Sequence, residues 1–161
     1  MVESLIRNVW LIPLMPLLGG LIAFVGGRRL QGWNHLPVIA GIAFSFLLTL
    51  IILLGSEGSS ETQVYSWINI KSSTASAASP DDTLRDAALS IPIEFRVDGL
   101  TTMMLGMVTF VACLVAIFAA GYMAGDPGYP RFFFVFGLFV FSMTGLVLSS
   151  NFLLTYAFWE G

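Results

Sequence analysis

A lone carboxylate in an apolar run is the first candidate for chemistry. The stretch Asn151-Phe152-Leu153-Leu154-Thr155-Tyr156-Ala157-Phe158-Trp159-Glu160-Gly161 has Glu160 as its only acidic or basic side chain. Ser149, Ser150 and Asn151 form a polar break where a helix can start. At about 1.5 Å per residue, a helix begun at Asn151 carries Glu160 roughly 14 Å along its axis. That is close to half of a ~30 Å hydrocarbon core. A carboxyl at that depth is costly as a charge and reads as a proton carrier or relay. The competing reading is a static hydrogen bond or ion pair that ties this helix to a neighbour. The sequence supplies no partner for either role. Its one lysine, Lys71, lies in a polar segment, and no other acid or base falls within an apolar run. The sequence stops at Gly161 without a turn or polar flank, as expected of a piece cut inside a helix.

Other ionisable side chains invite structural readings first. Asp98 precedes Gly99-Leu100-Thr101-Thr102 and is placed to cap free N–H groups at a helix start, with a proton site as the secondary reading. Arg131 stands at the start of an apolar run, where it would reach the headgroups or pair with Asp126. Tyr122, Trp10 and Trp33 suit interfacial anchoring. His35 is alone in a short basic loop with no second metal ligand near it, and Cys113 is the one cysteine, a small packing residue in an apolar run. No Gly-rich phosphate loop, CxxC pair or Ser/His/Asp set is present, so redox chemistry would be done elsewhere.

The elements that position these residues are legible in composition and patterning. Of 161 residues, 57% are hydrophobic and only 11% charged, against about a quarter charged in ordinary soluble domains. The chain is expected to be a multi-pass protein of the cell (inner) membrane. The net charge of −3 gives no nucleic-acid footprint. A cleaved signal peptide is not expected, because Arg28 and Arg29 follow the first apolar stretch and Glu3 nearly offsets Arg7 before it.

The predicted fold is all-α and transmembrane, with four complete spans and a truncated fifth. Residues 1–55 hold spans one (Val9 to Gly27) and two (Leu36 to Gly55). Pro13 and Pro16 should bend or open the first turns of span one. Gly19, Ala23 and Gly27 form a small-residue seam, as do Ala112, Ala116 and Ala120 in span three. Residues 56–98 form a polar loop. In it Val64 to Ile70 is aromatic and β-branched enough for a strand, Ile91 to Val97 alternates with period two, and the two are expected to pair as a β-hairpin outside the membrane. Lys71 to Ser90 reads as a flexible insert. Residues 99–161 hold span three (Leu100 to Met123), the turn Gly125-Asp126-Pro127-Gly128, span four (Arg131 to Leu148) and half of span five. Pro130 suits the first position of its helix. The phenylalanines of span four face all sides and read as packing and lipid contact. Arg28, Arg29, His35 and Arg131 share one side, which the positive-inside rule makes cytoplasmic. The N-terminus and the 56–98 loop are then extracytoplasmic.

Three stretches in register resemble the antiporter-like subunits of respiratory complex I. Phe95-Arg96-Val97-Asp98-Gly99-Leu100 is similar to the start of their third span. Gly121-Tyr122-Met123 with Gly125-Asp126-Pro127-Gly128-Tyr129-Pro130-Arg131-Phe132-Phe133 is similar to the connection to their fourth. Asn151-Phe152-Leu153-Leu154 with Trp159-Glu160-Gly161 is similar to the fifth span and its essential glutamate. Order and spacing fit the N-terminal quarter or so of the chain 5 (subunit L) family of NADH-quinone oxidoreductase. The resemblance implies a proton-pumping subunit of a complex that passes electrons from NADH to quinone. It implies that Glu160 pairs with a lysine of a later span. It implies no cofactor in this chain: NADH, FMN, iron–sulfur clusters and quinone belong to partner subunits. Its implied partners are the other membrane subunits, neighbouring antiporter-like subunits above all, and the lipid bilayer. The Lys71 to Ser90 insert departs from the family pattern. Two other readings stand beside this one: the large subunit of a multi-subunit cation/proton antiporter, and a purely structural membrane segment.

Overall fold

The computed structural model describes residues 8–26, 33–55, 60–70 and 89–160. Glu3, Arg7, Gly27, the Arg28-Arg29 pair, residues 71–88 of the insert, and Gly161 lie outside them. Four stretches rich in apolar residues on every face form helices. These are α1, Leu11–Val25, α2, His35–Gly55, α3, Gly99–Tyr122, and α4, Tyr129–Leu148. A short fifth helix, α5, covers Phe152–Trp159. The helices α2, α3 and α4 are long and apolar enough to cross a membrane, and α1 is a shorter apolar helix of 15 residues. Three such helices in one chain make a multi-pass membrane protein. Between α2 and α3 lie β1, Ser60–Ile70, and β2, Leu89–Val97. They run antiparallel, with Ser60 opposite Val97 and Ile70 opposite Leu89, and the register breaks between Gln63 and Tyr65 and between Ser66 and Ile68.

The helix α1 packs between α2 and α4, α2 packs on α3, and α3 leans more lightly on α4. Two features let α1 sit so deep. Its crossing points are nearly bare backbone. A Cβ on Gly41 of α2 would lie 2.5 Å from the Met15 carbonyl oxygen, and one on Gly137 of α4 would lie 2.8 Å from that of Pro16. Small residues are what let backbones approach this closely in a membrane. The second feature is Pro16, which lies inside α1 and has no N–H to give to the carbonyl of Ile12. Ser45 of α2 supplies the missing donor, its Oγ 2.7 Å from Ile12 O.

The expected first span, Val9 to Gly27, is therefore shorter as a helix. Its start is tightened, with Leu11 and Ile12 N–H donating to the carbonyls of Asn8 and Val9. Of the two predicted small-residue seams, Gly19 and Ala23 are buried in α1. In α3 the buried set is Ala112, Ala116 and Ala119, not Ala120, because a helix of 3.6 residues per turn drifts off a strict spacing of four. The buried hydroxyls of Thr49, Thr109 and Thr144 each donate to the carbonyl four residues back, at 2.9, 2.7 and 2.7 Å. No water is needed to satisfy them, as an apolar environment demands.

Buried apolar side chains gather in two clusters. One joins Ala23, Val38, Ile42, Ala112, Ala116, Ala119, Tyr129, Phe133 and Val140 towards the α3–α4 turn. The other joins Val9, Ile12, Leu48, Ile52, Phe95, Val97, Leu105 and Leu148 at the opposite end. Many large apolar side chains stay on the outside, among them Phe118, Val25 and Leu54. In water such a surface would mark an interface, and around membrane helices it meets lipid or further helices.

Candidate functional site

Glu160 caps the C-terminal end of α5, its N–H donating to Tyr156 O at 3.2 Å. Its side chain is exposed, as are Tyr156 and Trp159. The start of the helix is held more firmly than its end. Asn151 is the N-cap, and its Oδ1 accepts from Leu154 N–H at 2.8 Å. Thr155 Oγ1 lies 3.0 Å from Asn151 O and 2.6 Å from Ser149 Oγ, which itself lies 2.7 Å from Leu146 O. Two hydroxyl protons thus link the last turn of α4 to the first turn of α5. Phe158 rests on Gly145, where any side chain would collide with its ring, and meets Phe141 edge-on at a centroid distance of 5.4 Å. These contacts fix the line along which α5 leaves its start, and Glu160 lies on that line.

Asp98 is the N-cap of α3, and its Oδ1 accepts from Thr101 N–H at 2.7 Å. Arg96 Nε lies 3.4 Å from its Oδ2. The backbone hydrogen bond from Thr101 first, and the Arg96 charge after it, hold this carboxyl below the usual aspartate range. That is the environment of a helix cap that stays ionised. Arg131 is exposed on the first turn of α4, where Pro130 takes one of the first two positions. The expected pairing with Asp126 is not among the ion pairs of the described residues, because Asp126 closes its own turn. Its Oδ1 accepts Gly128 N–H at 2.6 Å. Tyr122 is exposed at the end of α3, stacked on Phe118 at 5.8 Å.

His35 is not in a loop, as the sequence suggests, but is the first residue of α2. Its Nδ1 lies 2.8 Å from Tyr129 Oη, and that hydroxyl lies 3.3 Å from Ala120 O. Tyr129 therefore bridges α2, α3 and α4 at one end of the bundle. With His35 Nδ1–H donating to Tyr129, the tyrosine proton is free for Ala120 and both contacts are satisfied. No sequence signal announces a pair 94 residues apart. Ser45 was missed likewise, although Pro16 gave a signal that some donor was needed. Among the described residues, no three His, Cys, Asp or Glu side chains converge as metal ligands.

Residues 84–133 match the family described as NADH-Ubiquinone oxidoreductase (complex I), chain 5 N-terminus. The chain is 38% identical to the chloroplastic NAD(P)H-quinone oxidoreductase subunit 5 of Mesostigma viride, over 98% of this chain and 23% of that protein. It is 35% identical to NAD(P)H-quinone oxidoreductase chain 5 of Picosynechococcus sp., over 98% of this chain and 23% of the relative. It is 32% identical to NADH-quinone oxidoreductase subunit L of Mycobacterium tuberculosis, over 94% of this chain and 22% of the relative. The chain thus spans about a quarter of the length of the relatives it matches. Matched along nearly its whole length, with the family match spanning the β2–α3–α4 junction, the chain is similar to a quarter of chain 5 (subunit L) of complex I NADH-quinone oxidoreductases.

Proposed function

We propose that this protein is a proton-translocating membrane subunit of an NADH:quinone oxidoreductase, coupling electron transfer from NADH to quinone to proton pumping. One observation carries the reading. Glu160 is the only acid or base on the α5 stretch, and the start of that helix is fixed by Asn151, Thr155 and Ser149. A helix set out from there along an apolar path delivers its carboxyl roughly 14 Å on, at the depth where a proton-carrying group belongs. In this reading α1 to α4 are four spans, α5 is the first half of a fifth, and the strand pair lies outside the membrane.

His35, Asp126 and Arg131 lie at the end of the bundle where Tyr129 bridges three helices, the end to which the sequence also assigns Arg28 and Arg29, and Glu94, Arg96 and Asp98 lie at the other. The basic end is then cytoplasmic, and Glu160 is approached from outside. Its partner would be a lysine of a later span. NADH, FMN, iron–sulfur clusters and quinone act in partner subunits, and this subunit contributes the proton path against neighbouring membrane subunits. Asp98 and Arg131 serve as a cap and a headgroup contact, and Tyr122 as an interfacial anchor.

The test is made in inverted membrane vesicles from cells that carry, or lack, the full-length gene. NADH oxidation should acidify the vesicle lumen, and deletion should lower the protons moved per NADH. Sodium-dependent proton exchange that persists without NADH would instead support a cation/proton antiporter.

A further inference from the structure

The strand β2 has two edges, and only one faces β1. On the other edge Phe95 forms an antiparallel bridge with Ser149, and Ser150 N–H lies 3.3 Å from Glu94 O. So β2 also docks on the connection between α4 and α5. The docking is buried. Phe95 is 6% exposed and Val97 2% exposed, in the cluster that includes Ile12, Ile52, Leu105 and Leu148. Leu154 and Phe158, both on α5, pack against that same cluster. Ser149, opposite Phe95, is the residue whose hydroxyl meets Thr155 one turn into α5.

We propose that Phe95 is a positioning residue for the helix that bears Glu160, linking the strand pair to the α4–α5 connection. The proposal rests on Glu160 being the proton site. Phe95 has no polar atom and touches no proton path; it acts by filling the space beneath the connection. With the ring in place, Ser149, Asn151 and Thr155 keep their relative positions and α5 its direction. Without it, the connection sinks toward the void, and a group carried five residues beyond Thr155 is displaced with it. Proton transfer between paired groups falls steeply with an ångström of misplacement.

The experiment uses the complete complex in membrane vesicles, with protons pumped per NADH oxidised as the readout. Phe95→Ala is expected to lower that ratio at least roughly twofold while NADH oxidation per assembled complex is retained. Phe95→Leu, which refills most of the space, is expected to restore it. Val140→Ala, an equally buried truncation in the other cluster, is the measure of general destabilisation and should leave the ratio unchanged. A wild-type ratio in Phe95→Ala, with the ratio collapsed in Glu160→Gln, overturns the positioning role alone. A wild-type ratio in Glu160→Gln overturns the proton-site reading and this inference with it. An equal fall in Val140→Ala and Phe95→Ala shows general loosening and overturns the specific link.

Discussion

Replacing Ser45 by alanine should destabilise the bundle chiefly because Pro16 is where it is. Ser45 is fully buried, and its hydroxyl meets Ile12 O at 2.7 Å and Gly41 O at 3.1 Å. The Gly41 carbonyl belongs to an intact helix, whereas the normal donor to Ile12 O would be the N–H that Pro16 lacks. Removing the hydroxyl leaves a buried acceptor unsatisfied, an effect of about 1–3 kcal/mol in general. Interhelical hydrogen bonds within membranes average ~0.6 kcal/mol and reach ~1.7. An orphaned carbonyl with no alternative partner belongs near the upper figure, so the expected loss is about 1.5 kcal/mol.

In a Pro16→Ala background residue 16 regains its N–H and Ile12 O its helical partner. There Ser45→Ala should cost only about 0.5 kcal/mol, which makes the coupling about 1 kcal/mol, a factor of about five in the unfolding constant. Steric trapping of the four variants in lipid bicelles measures that coupling. An equal cost of Ser45→Ala in both backgrounds would refute the reasoning, since the bond would then owe nothing to the proline.

Further outcomes follow from the same contacts. Gly41→Ala pushes a methyl to within 2.5 Å of the Met15 carbonyl. Backbone cannot yield as a side chain does, so α1 and α2 must separate, at a cost of about 1–3 kcal/mol in the same bicelle assay. Asn151→Ala removes the α5 cap and should cost about 1 kcal/mol, while Asn151→Asp or Asn151→Ser should largely retain stability. Tyr129→Phe removes the hydroxyl that joins His35 to Ala120. It should lower stability by about 1 kcal/mol and speed hydrogen exchange in the first turn of α2.

For Asp98 the folded carboxyl lies below its usual value, so its contribution is complete above the unfolded carboxylate range. It is lost as pH falls through the lowered folded value. Asp98→Asn keeps an acceptor for Thr101. It lacks the charge that Thr101 and Arg96 favour, so it should be less stable than the parent near neutrality and draw level with it in acid, measured as midpoint against pH.

The long helices were legible because nothing but a membrane explains their composition. The α3 start was legible too, since Asp98 before Gly-Leu-Thr-Thr is a local signal and a cap needs only residues three apart. What the sequence hid were bonds between distant residues. Tyr129 reads as part of a turn motif, yet it holds His35 across the bundle. Ser45 reads as one polar residue in an apolar span, and its purpose is fixed by a proline on another helix. Asp126 beside Arg131 suggested an ion pair, but a short-range turn contact claimed the carboxylate first. For Glu160 the sequence supplies the residue type and an expected depth, and the structure adds how its helix is aimed, through Asn151, Thr155 and Phe158.

The central claim is that Glu160 carries the proton. Its most direct test is the number of protons pumped per NADH oxidised in the complete complex bearing Glu160→Gln, normalised to assembled enzyme. Glutamine keeps the size and hydrogen-bonding capacity of the side chain and removes only its ability to take and release a proton. A pumping ratio that largely collapses at normal assembly is the predicted result. A ratio equal to that of the parent enzyme would contradict it.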